Sequence, residues 1–156
     1  MEVILVSACL CGINTKYNGE NNLCEKVLNL MKEGKALPLC PEQLGGLKTP
    51  RNPCEICGGT GEDVIGGKAA VMSSTGENFT SEFLKGAYET LKVAKECNIK
   101  EAVLKSKSPS CGFGKIYDGS FSGNIIEGAG VTAELLSKNH IKIYGEDDFN
   151  KVFERK

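Results

Sequence analysis

Four short apolar runs constrain this chain most: EVILVSA at residues 2–8, ALPL at 36–39, AVLK at 102–105 and IKIY at 141–144. They are rich in aliphatic residues, too short for helices, and bounded by Gly, Pro or polar turn residues. Each therefore reads as a buried strand. Stretches with helical periodicity lie between them. Leu23, Val27, Leu30 and Met31 mark one helix, ended by Gly34. Phe83, Leu84, Ala87, Leu91 and Ala94 mark another, with Thr80 or Ser81 as N-cap and Asn98 just beyond its end. Residues 131–138 and 146–154 read as two more helices, and AAVM at 69–72 as a further strand. KIYDGSFSG, 115–123, reads as a hairpin or tight turns, and the Gly- and Pro-rich residues 41–67 as an excursion of loops. Buried strands alternating with helices predict an α/β fold with a mostly parallel sheet flanked by helices, a Rossmann-like three-layer arrangement. At 156 residues the chain fits a single domain over 1–156.

In such a sheet ligands bind at the C-terminal ends of the strands. Cys9 follows EVILVSA, Cys40 follows ALPL, and Cys111 follows AVLK after a short turn. A cysteine at one strand end is readily a small hydrophobe that packs. Three of them predict a meeting at one rim. Cys40 is followed by proline and Cys111 lies in SPSCG. Turns of this kind expose backbone N–H groups, which stabilise thiolate. Lys105, Lys107 and Arg51 can add positive charge that lowers a thiol pKa, or can form an ordinary solvated face.

Composition narrows the chemistry. There are eight cysteines and one histidine, His140, so a metal site would be nearly all sulfur. MEVILVSACL has a short apolar run, an early Glu2 and no basic lead-in. It is expected to be neither a signal peptide nor a membrane span, and the protein is expected in the cytoplasm. There, clustered cysteines suggest metal binding or catalysis rather than disulfides. A net charge of −1 and the absence of tryptophan argue against a broad phosphate-binding face or a base-stacking platform. Structural zinc takes four closed ligands. Three thiolates on a cubane iron–sulfur cluster leave one iron without a protein ligand, which is a catalytic arrangement.

The other cysteines offer a competing reading. Cys54 and Cys57 in CEICGGTG match half of a zinc knuckle, C-x-x-C-x-G-x-G, but no second C-x-x-C follows. A non-enzymatic metal-binding or sulfur-carrier module on this pair is the alternative function. Cys11 is a spare ligand next to Cys9, and Cys24 and Cys97 lie in expected helices as packing residues. His140 sits at an expected helix–strand junction, a poor position for a base to Cys111. EGAGVTAE, 127–134, can place backbone amides at a helix start, where an anion would be welcome.

VSACLCG, YNG, CPEQLGGLKTPR, GENFTSEFLKGA, LKSKSPSCG, IYDGSFSG and GAGVTAELL occur in this order and span almost the whole chain. With these motifs the sequence resembles the 2-thiouracil desulfurases. The resemblance implies a single α/β domain that binds a 4Fe-4S cluster through Cys9, Cys40 and Cys111, the same three that the strand ends select. It implies that the fourth iron takes the sulfur of a thiolated uracil. Glu42 in CPE and Ser108 in SPSCG are the implied catalytic groups. Water supplies the oxygen and hydrogen sulfide leaves, with no net redox change. Arg51 and Lys105 are the expected substrate contacts; Arg51 can hold a pyrimidine carbonyl or a phosphate, or pair with Glu55. The implied partner is a small thiolated pyrimidine, as 2-thiouracil, 4-thiouracil or their nucleosides and nucleotides, with thiolated tRNA as the macromolecular alternative. The implied activity belongs to sulfur metabolism and nucleotide salvage. Cys11, Cys54 and Cys57 are thiols beyond the family pattern. Cys11 is open to the role of a fourth ligand, and the pair to that of a second metal site or a sulfur acceptor.

Overall fold

The apolar runs form the strands expected of them. The computed structural model describes residues 2–148. Its elements are β1 (Ile4–Ser7), α1 (Glu25–Lys32), β2 (Ala36–Leu39), α2 (Pro41–Leu44), β3 (Cys54–Cys57), α3 (Gly61–Ile65), β4 (Ala70–Ser73), α4 (Thr80–Glu96), β5 (Glu101–Leu104), β6 (Lys115–Tyr117), β7 (Ile125–Glu127), α5 (Val131–Lys138) and β8 (Lys142–Gly145). Single 3-10 turns cover Ala8–Cys11 and Glu146–Asp148.

The central sheet runs β2-β1-β5-β8, and every pairing in it is parallel. Alternate side chains of a strand point to opposite faces. Ile4, Val6 and Val103 therefore face α1 and pack on Val27 and Leu30. Leu5, Ala102, Leu104 and Ile143 face the other way and pack with residues of α4 and α5, including Phe83, Ala87 and Leu136. Both faces are covered, which is why the strand sequences are almost continuously apolar. The strand order reverses about β1, with β2 on one side and β5 and β8 on the other. That reversal leaves a crevice beyond the carboxyl ends of β1 and β5.

Several expectations change. Residues 41–67 are not only loops, since they carry α2, β3 and α3. AAVM does become a strand, but β4 pairs antiparallel with β3, outside the parallel sheet. CEIC is too short to declare itself and becomes a strand through its partner. The expected hairpin forms from β6 and β7. The N-cap of α4 is Phe79, while the Asn78 Oδ1 accepts the Thr80 N–H at 3.0 Å. Leu23 precedes α1 and is exposed. Of the expected last helix, 146–148 form a 3-10 turn and 149–154 lie outside the described residues.

One close approach fixes the turn that carries Cys40. α4 crosses α2 where Gly86 meets Gly45. A Cβ on Gly86 would stand 1.9 Å from the Pro41 carbonyl oxygen, and one on Gly45 would stand 1.9 Å from that of Glu82. Gly86→Ala must push α2 away from its support. The expected loss is about 1–3 kcal/mol, as for other overpacked sites. A urea midpoint equal to that of the wild type would show that the contact is slack.

Candidate functional site

Three strand ends supply the site. The end of β1 runs into the 3-10 turn that holds Cys9. The end of β2 runs into Cys40, the N-cap residue of α2, with Pro41 at the first helical position. Backbone N–H groups of Gln43 and Glu42 therefore point at the Cys40 sulfur. The end of β5 runs into the loop that carries Cys111. Ser108 Oγ closes this loop by accepting the N–H groups of Ser110 at 3.1 Å and Cys111 at 3.0 Å.

The start of α5 holds the same loop from outside. Gly130, Val131 and Ala133 donate their N–H groups to the carbonyls of Gly112, Pro109 and Ser110, at 2.7, 2.8 and 3.0 Å. The expected anion site at EGAGVTAE is therefore not formed, because those amides are spent on SPSCG. Gly130 is needed there: a Cβ would come within 2.6 Å of the Ser110 carbonyl carbon.

Cys9, Cys40, Cys111, Glu42, Ser108, Arg51 and Lys105 all line one cavity of about 510 Å³ at this rim. Burial pushes the Cys9, Cys40 and Cys111 thiols up from their ordinary values, and the Cys9–Cys40, Cys9–Cys111 and Cys40–Cys111 proximities add to it. Asn22 on Cys9, the Gln43 N–H on Cys40, and Ser7 and Ser110 on Cys111 act in the opposite sense. Such a set needs a thiophilic cationic group to become thiolate. Among the described residues, no three His, Cys, Asp or Glu side chains converge as one metal ion requires. Three thiols lining one cavity are donors of the kind a 4Fe-4S cluster takes, whereas a structural zinc site closes four ligands on one ion.

Glu42 is held at both oxygens. Arg51 Nε donates to Oε1 at 2.9 Å and the Ser110 hydroxyl to Oε2 at 2.9 Å. Arg51 also donates to the Thr15 carbonyl at 2.9 Å and to Thr49 Oγ1 at 2.8 Å. Its side chain is only 6% exposed and that of Glu42 only 13%. Arg51 thus spends four of its five N–H donors on the protein and fixes the carboxylate. The alternative pairing with Glu55 does not occur; Glu55 accepts the N–H groups of Gly119 at 2.9 Å and Phe121 at 3.2 Å. Removing one member of a buried ion pair leaves the other uncompensated. Arg51→Ala is expected to cost about 3–5 kcal/mol in chemical denaturation. Arg51→Lys should recover little of it, because a lysine cannot reproduce the fork. Full stability in either variant would remove this role.

Lys105 is likewise engaged. Its Nζ lies 2.9 Å from Glu146 Oε2 and 3.2 Å from both the carbonyl and the hydroxyl of Ser106. Glu146 Oε1 also accepts the Ser106 N–H at 2.7 Å. Burial pushes the Glu146 carboxyl up, but the bonds from Lys105 and the backbone outweigh it, and the group lies below its usual 4.5. A depressed carboxylate contributes stability that is full above 4.5 and is lost as pH falls through the folded value. Glu146→Gln should therefore flatten the acid limb of a stability–pH curve below that point. An unchanged acid limb would show that the clamp contributes nothing.

The remaining cysteines separate. Cys54 and Cys57 lie three apart on β3, so their side chains leave opposite faces. Cys54 lines the cavity, where burial pushes its thiol up to about 12. Cys57 points to the Gly119 carbonyl at 3.5 Å. A knuckle or carrier centred on this pair lacks its two ligands on one side. Cys11 is buried in the core on the α1 side, away from the cavity lining, and Cys24 packs against that core. Cys97 is exposed, not packed. His140 occupies the turn between α5 and β8 with φ of 66° and is not a cavity residue. Ser7, Asn22, Ser110 and Glu146 were not read as site residues from the sequence. Ser7 in VSACLCG and Ser110 in SPSCG lie in family motifs, but no spacing rule links Ser110 to Glu42.

The 2-thiouracil desulfurase family matches residues 4–148. YbbK of Bacillus subtilis (strain 168), described as uncharacterized, is 49% identical over 150 residues, covering 96% of this chain and 99% of YbbK. The solved structure of a 4Fe-4S-dependent thiouracil desulfidase, TudS, superposes with a TM-score of 0.85 at 38% identity, covering 97% of this chain and 95% of that one. On a match that spans the parallel sheet, CPE and SPSCG together, the chain belongs to the 2-thiouracil desulfurase family of enzymes.

Proposed function

We propose that residues 1–156 form one iron–sulfur desulfurase domain in which Cys9, Cys40 and Cys111 hold a 4Fe-4S cluster at the cavity. Its reaction exchanges the sulfur of a thiolated uracil compound for the oxygen of water and releases hydrogen sulfide. No electrons are gained or lost. The observation that carries this reading is the cavity itself: Cys9, Cys40, Cys111, Glu42 and Ser108 from remote segments share one lining, with Cys54 beside them. Support comes also from the relative at 38% identity, which is described as a 4Fe-4S-dependent thiouracil desulfidase.

When bound, the cluster supplies an iron without a protein ligand, a Lewis acid for the departing sulfur. The chain's own side chains do the rest. Glu42, fixed by Arg51, accepts a proton from the water that attacks the sulfur-bearing carbon. Ser108, whose oxygen accepts the Ser110 and Cys111 N–H groups, shapes the cavity wall that faces the pyrimidine. Arg51 and Lys105 serve the substrate through the groups they hold, Glu42 and the loop after β5. Small-molecule sites span roughly 300–1,000 Å³, and the cavity of about 510 Å³ is to hold the cluster as well as the pyrimidine.

The test is anaerobic reconstitution followed by assay of iron, acid-labile sulfide and sulfide released from 2-thiouracil, 4-thio-UMP and thiolated tRNA. Brown protein with release from at least one substrate is expected. A colourless protein that takes up zinc and releases no sulfide would end this reading. Among the described residues no helix is long and apolar enough to cross a membrane.

A further inference from the structure

Hydrogen-bond accounting in the loop after β5 points to a residue between the two groups read as catalytic. A serine hydroxyl has one proton to donate and two lone pairs to accept with. Ser108 Oγ already accepts two backbone N–H groups, those of Ser110 at 3.1 Å and Cys111 at 3.0 Å. It can therefore only donate to its remaining neighbour, Ser110 Oγ, at 3.0 Å. Ser110 Oγ in turn faces Glu42 Oε2 at 2.9 Å, and a carboxylate only accepts. The Cys111 sulfur, at 3.7 Å, is the weaker acceptor for the same proton. Both hydroxyl orientations are thus set, and the row runs one way: Ser108 O–H to Ser110, then Ser110 O–H to Glu42.

Ser110 is 2% exposed. Water has little access to replace it, and Arg51 occupies the other oxygen of Glu42. We propose that Ser110 is the positioning residue that joins Ser108 to Glu42 and makes the two act as one unit. The carboxylate holds the Ser110 hydroxyl and the Ser110 oxygen holds the Ser108 hydroxyl, so all three side chains keep one arrangement at the cavity wall. This inference rests on the roles given to Glu42 and Ser108 under the proposed desulfurase function.

The experiment compares Ser110→Ala, Ser110→Thr, Glu42→Gln and Ser110→Ala/Glu42→Gln as reconstituted holoenzymes, with iron content, KM and kcat for 2-thiouracil or 4-thio-UMP. Ser110→Ala should keep its iron and its KM and lose about 10²-fold in kcat, the cost of a catalytic group displaced by about 1 Å. Ser110→Thr, which retains the hydroxyl, should recover most of that loss. The double variant should be no slower than Glu42→Gln alone, because groups that act as a unit are not additive. A Ser110→Ala enzyme with wild-type kcat, or losses that multiply fully in the double variant, overturns the inference while leaving the desulfurase reading intact. A Ser110→Ala protein that loses its iron while Ser110→Thr retains iron but stays slow also overturns it, since the loop would then depend on Ser110 for shape alone. A wild-type holoenzyme that releases no sulfide overturns both.

Discussion

Cys111→Ala is expected to abolish cluster binding and, with it, sulfide release. The residue is 5% exposed and lines the cavity together with Cys9 and Cys40. Losing one thiolate of three leaves two ligands on a group that takes three or four. Even a supporting partner outside the ligand shell is worth about 10–100-fold in metal affinity or activity, so loss of a ligand should exceed about 10²-fold. The fold should survive, because a sulfur-to-hydrogen change in the core removes little buried area. Circular dichroism of the variant should match the wild type while iron and acid-labile sulfide fall to background. Cys54→Ala is the contrast. It should keep its iron, because its neighbour in the C-x-x-C faces the other side of β3. The reverse pattern, iron retained in Cys111→Ala and lost in Cys54→Ala, would transfer the metal site to the pair and refute the trio.

Glu42→Gln should leave the cluster in place and slow the reaction by about 10²–10⁴-fold, the usual worth of a positioned acid or base. The substitution keeps the size of the side chain and removes its charge. Arg51 Nε, now 2.9 Å from Oε1, would lose its carboxylate partner, and one of the two bonds to the side chain would face an amide N–H instead of an acceptor. Some stability should therefore be lost as well, and the assay belongs at a temperature where the variant is fully folded. Iron content and spectrum should equal those of the wild type. Activity within a few-fold of wild type at full iron content would remove Glu42 from the proton chemistry and leave it as the partner of Arg51.

The parallel strands and the larger helices were legible because their signals are local. Branched aliphatic runs declare β1, β2, β5 and β8, and an apolar stripe declares α4. The placement of Cys9, Cys40 and Cys111 after three of those strands was enough to expect their meeting, since parallel strands end at one rim. β3, α2 and α3 were not legible. Each is short, Gly or Pro punctuates the region, and their stability comes from partners such as β4 and α4 rather than from propensity. The small-residue contact of Gly45 with Gly86 and the anchoring of SPSCG by the start of α5 likewise have no period to detect.

Alone, the order of residues determined which segments are strands, which thiols follow them and which family the motifs match, because periodicity, turn chemistry and motif spacing are written along one chain. Tertiary structure alone decided that Arg51 and Lys105 turn their donors inward, that Cys54 and Cys57 part company, and that Ser110 meets Glu42 across 68 residues of sequence. Hydrogen-bond direction and burial depend on which groups arrive within about 3 Å of one another, and that distance exists only after the chain has packed.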